Sequence, residues 1–351
     1  MNTKIPWRVG ILGAGDMGRT HVLTLRSDPR VQIVAVADPD SERARLLAAP
    51  SKAKVLVSLE GLLEEKIDIL FVTSPNFTHA EAAVAALVKN IHVFSEKPMA
   101  VNLEEGRRIL EAARKSQAVY QLGFNRRFAP AYLAVKERIM NGFTPYLLYA
   151  KMNEGEMTNR DWITNPARTG GYLNENTLHF LDMVQWLAGP IREVFAVGKT
   201  NVYKDMTDFV ITLVSETDCI ASISTSGHAT WFYPWERMEV IGDHEAMITE
   251  EVEKFSHSPG IRKEIRTTEF FQLTREQKWG YEGEVKAFLD TIEKGGASPY
   301  GAQLGYKILQ LVRACYESVE TGKKIILPSR TNGGFIREPK EVPFMEHSSK
   351  T

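Results

Sequence analysis

The sequence predicts an α/β domain built on a parallel sheet, followed by an α+β domain with a largely antiparallel, open sheet. Three observations carry this reading. In the first third, short apolar runs alternate with amphipathic stretches, the order that gives parallel strands with helices on both faces. A glycine-rich turn, Gly13-Ala-Gly15-Asp16-Met17-Gly18, directly follows the first apolar run. Beyond about residue 145 the apolar runs follow one another with few helices between them, as antiparallel neighbours do.

Taken in order, Arg8–Leu12, Val31–Ala37, Ile67–Val72, Ile91–Phe94 and Ala118–Leu122 read as strands buried on both faces. Between them, His79–Lys89 carries Ala82, Ala83, Ala86 and Leu87 at helical spacing. Asn125–Asn141 reads as a linker running into a helix. The next strands are Pro145–Lys151, Ile191–Thr200, Phe209–Ser215, Cys219–Thr225 and Glu236–Ile241, with Thr217-Asp218 turning the third into the fourth. Helices are expected at Asn174–Leu187, Gly283–Glu293 and Ala302–Val319, all belonging to the second domain. The domains are thus 1–124 and 125–328, and 329–351, aperiodic and rich in Gly and Pro, forms an arm.

Composition narrows the partners. The 351 residues hold 43 Lys plus Arg against 44 Asp plus Glu, a net charge of −1, with no concentrated basic surface for nucleic acid or an anionic membrane. At 43% hydrophobic and 25% charged residues, the chain is not globally disordered. The two cysteines, Cys219 and Cys315, have no ligand or disulfide-framework spacing, so a reducing, cytoplasmic setting without a cysteine-built metal site is expected. No apolar run approaches the ~18 residues that span a bilayer.

The glycine turn has the strand–turn–helix context of a dinucleotide-binding Rossmann domain. The first glycine allows the tight turn, the second lets backbone approach a diphosphate, and the third lets helix pack on strand. Gly13, Gly15, Asp16, Met17 and Gly18 would cradle the diphosphate at the helix N-terminus. Asp38, twenty residues past Gly18 at the end of the second strand, is placed to accept from a ribose 2′-hydroxyl and to repel a 2′-phosphate. The expected cofactor is therefore NAD rather than NADP.

Ser95-Glu96-Lys97-Pro98, Thr73-Ser74-Pro-Asn76-Phe-Thr-His79 and Gly123-Phe-Asn-Arg-Arg127-Phe follow three of the strands. Together with the glycine turn they make the chain resemble the glucose–fructose oxidoreductase/inositol dehydrogenase (Gfo/Idh/MocA) family from about Trp7 to Leu327. The resemblance implies that Lys97 contacts substrate and polarises the reacting oxygen. It also implies that Glu96 contacts the nicotinamide-side ribose and that the Lys97–Pro98 bond is cis. Ser74, Asn76 and Arg127 are candidate cofactor contacts, whereas His79 is read as structural.

A further cluster, Gly170-Gly171-Tyr-Leu-Asn-Glu175-Asn-Thr-Leu-His179-Phe-Leu-Asp182, matches the family's second motif. By resemblance His179 is the acid/base for the substrate hydroxyl, and Glu175 shares its helix face. Glu175 replaces the family's Asp, and Thr177 stands where many relatives have Gly. If the charge of Glu175 acts on His179, it favours the imidazolium. Asp182 fits a structural hydrogen-bond role as well as a catalytic one. Trp162 could stack on a sugar face, whereas His228, His244 and His257 have no ligand spacing.

The reading is an NAD-dependent dehydrogenase of a secondary hydroxyl on a cyclic polyol, sugar or sugar derivative. Lys97, Glu175 and His179 are catalytic, these three and Trp162 bind substrate, no metal is required, and a homodimer or homotetramer is implied. Two alternatives stand beside it: a glycosidase that recycles NAD through transient oxidation and elimination, and a non-catalytic dinucleotide-binding regulator of a sugar pathway.

Overall fold

The computed structural model describes residues 6–155 and 163–328. Its first sheet has six parallel strands, β1 (Trp7–Leu12), β2 (Val31–Ala37), β3 (Lys54–Leu56), β4 (Ile69–Val72), β5 (His92–Ser95) and β6 (Tyr120–Leu122), in the order β3-β2-β1-β4-β5-β6. The order reverses between β1 and β4, and the crevice past their C-terminal ends is where such sheets bind ligands. Both strands are buried on two faces. Ile69 and Phe71 join one core while Leu70 and Val72 join the other, the period-two alternation of a strand between two helical layers. The sequence reading missed β3, a three-residue edge strand with two exposed residues and hence no apolar run.

The helix Tyr281–Lys294 packs on this first sheet, although sequence order assigned it to the second domain. Val285, Phe288 and Leu289 share a core with Val9, Ile11 and Phe71. Phe288 meets the stacked Phe71–Phe94 pair edge-on, with centroids 6.0 and 5.6 Å away. Arg30 adds ion pairs to Asp290 and Glu293. Amphipathic spacing told that one face is buried, not which sheet buries it.

The second sheet has nine strands. Past β7 (Leu147–Asn153) come β8 (Ile191–Lys199), β9 (Asp208–Ser215), β10 (Ile220–Ser226), β11 (Glu236–Ile241), β12 (Ala246–Glu250), β13 (Lys254–Ser258), β14 (Arg266–Glu269) and β15 (Ile325–Ile326). They run β14-β13-β12-β11-β7-β10-β9-β8-β15, antiparallel except for the β7–β10 pair. Asp218 takes a positive φ in the β9–β10 hairpin, as the turn requires. The inner face (Leu148, Ala150, Ile211, Ile223, Met238) shares a core with the helices Leu178–Ala188 and Ala302–Thr321. The outer face leaves Tyr149, Phe195, Val197, Val210 and Ile220 exposed. The expected arm at 329–351 lies outside the described residues.

Candidate active site

Each glycine of the first turn has its own cause. Gly13 has φ +100°, and a Cβ there would lie 2.6 Å from Ser74 N. A Cβ on Gly18 would lie 2.2 Å from Gly13 O, so the helix Asp16–Arg26 sits on this turn only without a side chain. Gly15 differs: a Cβ on it would meet no protein atom within 4 Å. Nothing inside the protein demands glycine there, whereas a diphosphate approaching the backbone does. The same helix begins without a side-chain cap, which leaves its first-turn amides directed at that space. The residues present therefore fit a dinucleotide.

Asp38 also braces the turn. Its buried carboxylate accepts from Ala14 N at 2.8 Å and Asp40 N at 2.9 Å. Arg43, absent from the sequence reading, places its guanidinium 3.4 Å from the same carboxylate. Asp38→Ala is expected to weaken NAD binding about ten-fold and to raise the NADP/NAD preference ratio by ten-fold or more. It removes an acceptor and a repelling charge while Arg43 remains to meet a 2′-phosphate. Cofactor titrations of both proteins check this; a wild type that already prefers NADP would refute the role given to Asp38.

At the ends of β4 and β5, two loops are tied together. His79, fully buried, faces Pro98 O at 2.7 Å with Nδ1 and Ser74 O at 2.8 Å with Nε2. Burial draws its pKa down, against the pull of those two carbonyls. This is the structural role expected of it. Ser74 Oγ bonds Thr78 Oγ1 at 2.6 Å, within its own loop. The Lys97–Pro98 bond is cis, as the tripeptide implied. The buried Glu96 carboxylate meets His21 Nε2 at 2.6 Å and accepts weakly from Lys97 N at 3.3 Å.

Lys97 reaches across to the second domain. Its Nζ donates to Glu175 O at 2.7 Å and Glu175 Oε1 at 3.3 Å, while Asn76 Nδ2 donates to Glu175 Oε2. One carboxylate thus gathers two side chains from the ends of β4 and β5. Glu175 lies in a widened π turn, Leu173–Thr177, which opens directly into the helix Leu178–Ala188 where a single regular helix was expected. Gly170 and Gly171 before it have φ +81° and +90°, and Cβ atoms there would strike Val101 O and Tyr316 Oη. Asn174 anchors the turn to the β5 loop by donating to Ala100 O at 3.0 Å.

His179 is buried, and its Nδ1 has no hydrogen-bond partner among the described residues. Burial, then the charges of Arg126 and Lys97, hold its pKa well below 6.5. The charges acting on this ring are thus cations, and Glu175 is not among them. Arg127 is tied up as well. It forms a buried two-pronged pair with Asp182 at 2.7 and 2.6 Å and lies over Trp186, as a strut of the second domain. Asp182 correspondingly serves Arg127, and not His179. Arg126 donates from Nε and Nη2 to one oxygen of Glu236, Oε2, while Oε1 accepts from Tyr132 Oη. The adjacent arginines were visible in sequence, but their acids lie 55 and 110 residues away. Trp162 lies outside the described residues.

A model of the GFO/IDH/MocA oxidoreductase family, NAD-binding Rossmann fold, matches residues 7–124, and a model of the GFO/IDH/MocA C-terminal domain matches residues 132–248. Inositol 2-dehydrogenase of Rhizobium meliloti is 28% identical over 91% of this chain and 98% of its own. A myo-inositol dehydrogenase from Corynebacterium glutamicum superposes with a TM-score of 0.77 at 26% identity, over 93% of this chain and 100% of that one. Levoglucosan dehydrogenase in complex with NADH superposes at 0.85 with 19% identity, over 92% and 99%, a likeness of fold.

Proposed function

The chain belongs to the Gfo/Idh/MocA family of NAD-binding oxidoreductases, and from that premise we propose that it is an NAD-dependent dehydrogenase of a secondary hydroxyl on a cyclic polyol or sugar. One observation carries the reading: Lys97 from the end of β5 is held by Glu175 of the second domain, with His179 kept neutral beside them. An ammonium has three N–H donors, and Glu175 takes two. The third is available to a substrate oxygen, where it stabilises negative charge as the hydroxyl gives up its proton. His179 in its neutral form accepts that proton, and we assign the step to Nε2 because Nδ1 is buried. Bound NAD supplies the hydride acceptor at its nicotinamide C4. Gly15, the first-turn amides and Asp38 hold the dinucleotide.

The inositol dehydrogenases among its relatives support a substrate of the polyol class. The exposed apolar outer face of the second sheet supports self-association as a homodimer or homotetramer. The test is a panel of inositols, sugars, sugar phosphates and glycosides with NAD, followed as net NADH formation. NADH from a free polyol supports the reading; cleavage of glycosides without net NADH would replace it.

Glu175→Asp retreats by one methylene, ~1.5 Å, and no longer spans Asn76 and Lys97 together. It is expected to lower kcat/KM about ten- to a hundred-fold and to reorder preference among polyols, the scale of one charged hydrogen bond. Kinetics across the panel check this. Unchanged ranking in both Glu175→Asp and Glu175→Gln would place Glu175 outside substrate recognition.

A further inference from the structure

Behind Lys97 lies a buried group of three ionisable side chains that the reaction above does not use. His21, on the helix Asp16–Arg26, is fully buried with Nε2 2.6 Å from Glu96 Oε1 and Nδ1 unpartnered among the described residues. Glu284, on the helix Tyr281–Lys294, is also fully buried, and neither carboxyl oxygen has a partner there. One nitrogen and two carboxyl oxygens of the three residues lie within 4.8 Å of one another.

A metal ion or a proton would reconcile these groups. An ion bound at ~2.0–2.2 Å keeps its N and O ligands roughly 3 Å or more apart. The 2.6 Å contact of His21 with Glu96 is instead the length of a strong hydrogen bond. A proton fits. Two carboxyl groups this close in a dry interior do not both ionise. Although burial opposes it, the charge rests on Glu96, held below the usual range by His21, Lys97 and His79. Burial and the nearby Glu96 raise Glu284 well above it. The other ionisable group facing this cluster is Tyr281, from Glu284's own helix.

We propose that Glu284 is a protonated positioning residue whose O–H, directed at Glu96 beside His21, fixes the Glu96 carboxylate and with it the lysine loop and the diphosphate-binding helix. His21 Nε2 lies against Glu96 Oε1, and a carboxyl oxygen of Glu284 lies within 4.8 Å of a Glu96 oxygen. Within that distance a side-chain rotation carries the Glu284 O–H onto the carboxylate. At the other end, Glu96 Oε2 accepts from the backbone N–H of Lys97. His21 belongs to the helix whose N-terminus meets the dinucleotide, so the chain couples helix Tyr281–Lys294 to both halves of the site.

The consequence for Lys97 rests on the proposed dehydrogenase reading, but the test does not. Infrared difference spectra of wild type and Glu284→Gln, and NADH fluorescence titrations across pH, need no substrate. A protonated-acid carbonyl band is expected at pH 7 in the wild type and is absent in Glu284→Gln. Glu284→Gln, which keeps a neutral donor, is expected to bind NADH within about three-fold of wild type, whereas Glu284→Met binds ten-fold or more weakly. Wild-type affinity falls at alkaline pH as Glu284 ionises beside Glu96, and the Gln variant lacks that component. Absence of the band, a Gln variant as weak as Met, or identical pH dependence in wild type and Gln would overturn the proposal. Should Glu284→Met fail to fold, the band and the Gln titration still decide. Failure of every polyol as substrate, with these results intact, would instead reject the dehydrogenase reading.

Discussion

Lys97→Ala is expected to lower turnover by ~10²-fold or more while NADH affinity changes by no more than a few-fold, the pattern of an interaction made chiefly in the transition state. The physical reason is geometric. The ammonium is anchored by two bonds to Glu175, so its third donor is aimed before substrate arrives and needs no reorganisation when charge develops on the oxygen. Lys97→Arg should not rescue it. A planar, forked guanidinium cannot reproduce a point charge with three radiating donors in the same space. Removal of the lysine also leaves the half-buried Glu175 carboxylate with only Asn76, so the variant should melt at a lower temperature, and Lys97→Ala/Glu175→Ala should recover part of that loss. Steady-state kinetics, NADH titration and thermal melts check the three statements. Near-normal turnover in Lys97→Ala would remove the lysine from the mechanism.

How much of this was legible beforehand follows from what a local pattern can encode. Five of the first sheet's strands and the glycine turn announce themselves because apolar runs and φ-permissive residues are local signals. Lys97, Glu175 and His179 likewise sit in short motifs. The partners of Asp38 and Arg127 do not. Asp38 was read as a ribose acid, yet it also holds Ala14 N, a bond formed only when β2 lies beside β1. Arg127 looked free because Asp182 is 55 residues away in the chain. Of the short strands β12 to β14, the first holds only the three apolar residues Ala246–Ile248, the second is mostly polar and the last is exposed throughout, so no long apolar run marked them. Glu284 reads as one more surface acid on an amphipathic helix. Only the packing of that helix on the first sheet reveals it as a fully buried carboxyl.

His179 joins these two kinds of information, because its identity is local and its protonation state is not. His179→Ala is expected to lower turnover of hydroxyl oxidation by ~10²-fold or more, the range of a lost general base. The pH profile separates a base from a packing residue. Burial disfavours the charged ring, and Arg126 and Lys97 add like-charge repulsion, so the imidazole is neutral at pH 7 and ready to accept a proton. The kcat/KM for oxidation should therefore stay level from pH 7 down through 6.5 and fall only at more acid pH, where His179 becomes protonated. Reduction, which needs the protonated ring, should by the same sign be favoured as pH falls. Removing one cation tests the cause. Lys97→Ala takes away a repelling charge, the imidazolium becomes less costly, and the acid limb of its residual activity should move to higher pH. An acid limb already above 6.5 in the wild type would contradict the burial argument. A limb unmoved by Lys97→Ala would show that the lysine charge does not reach the ring, leaving desolvation and Arg126 to set its protonation.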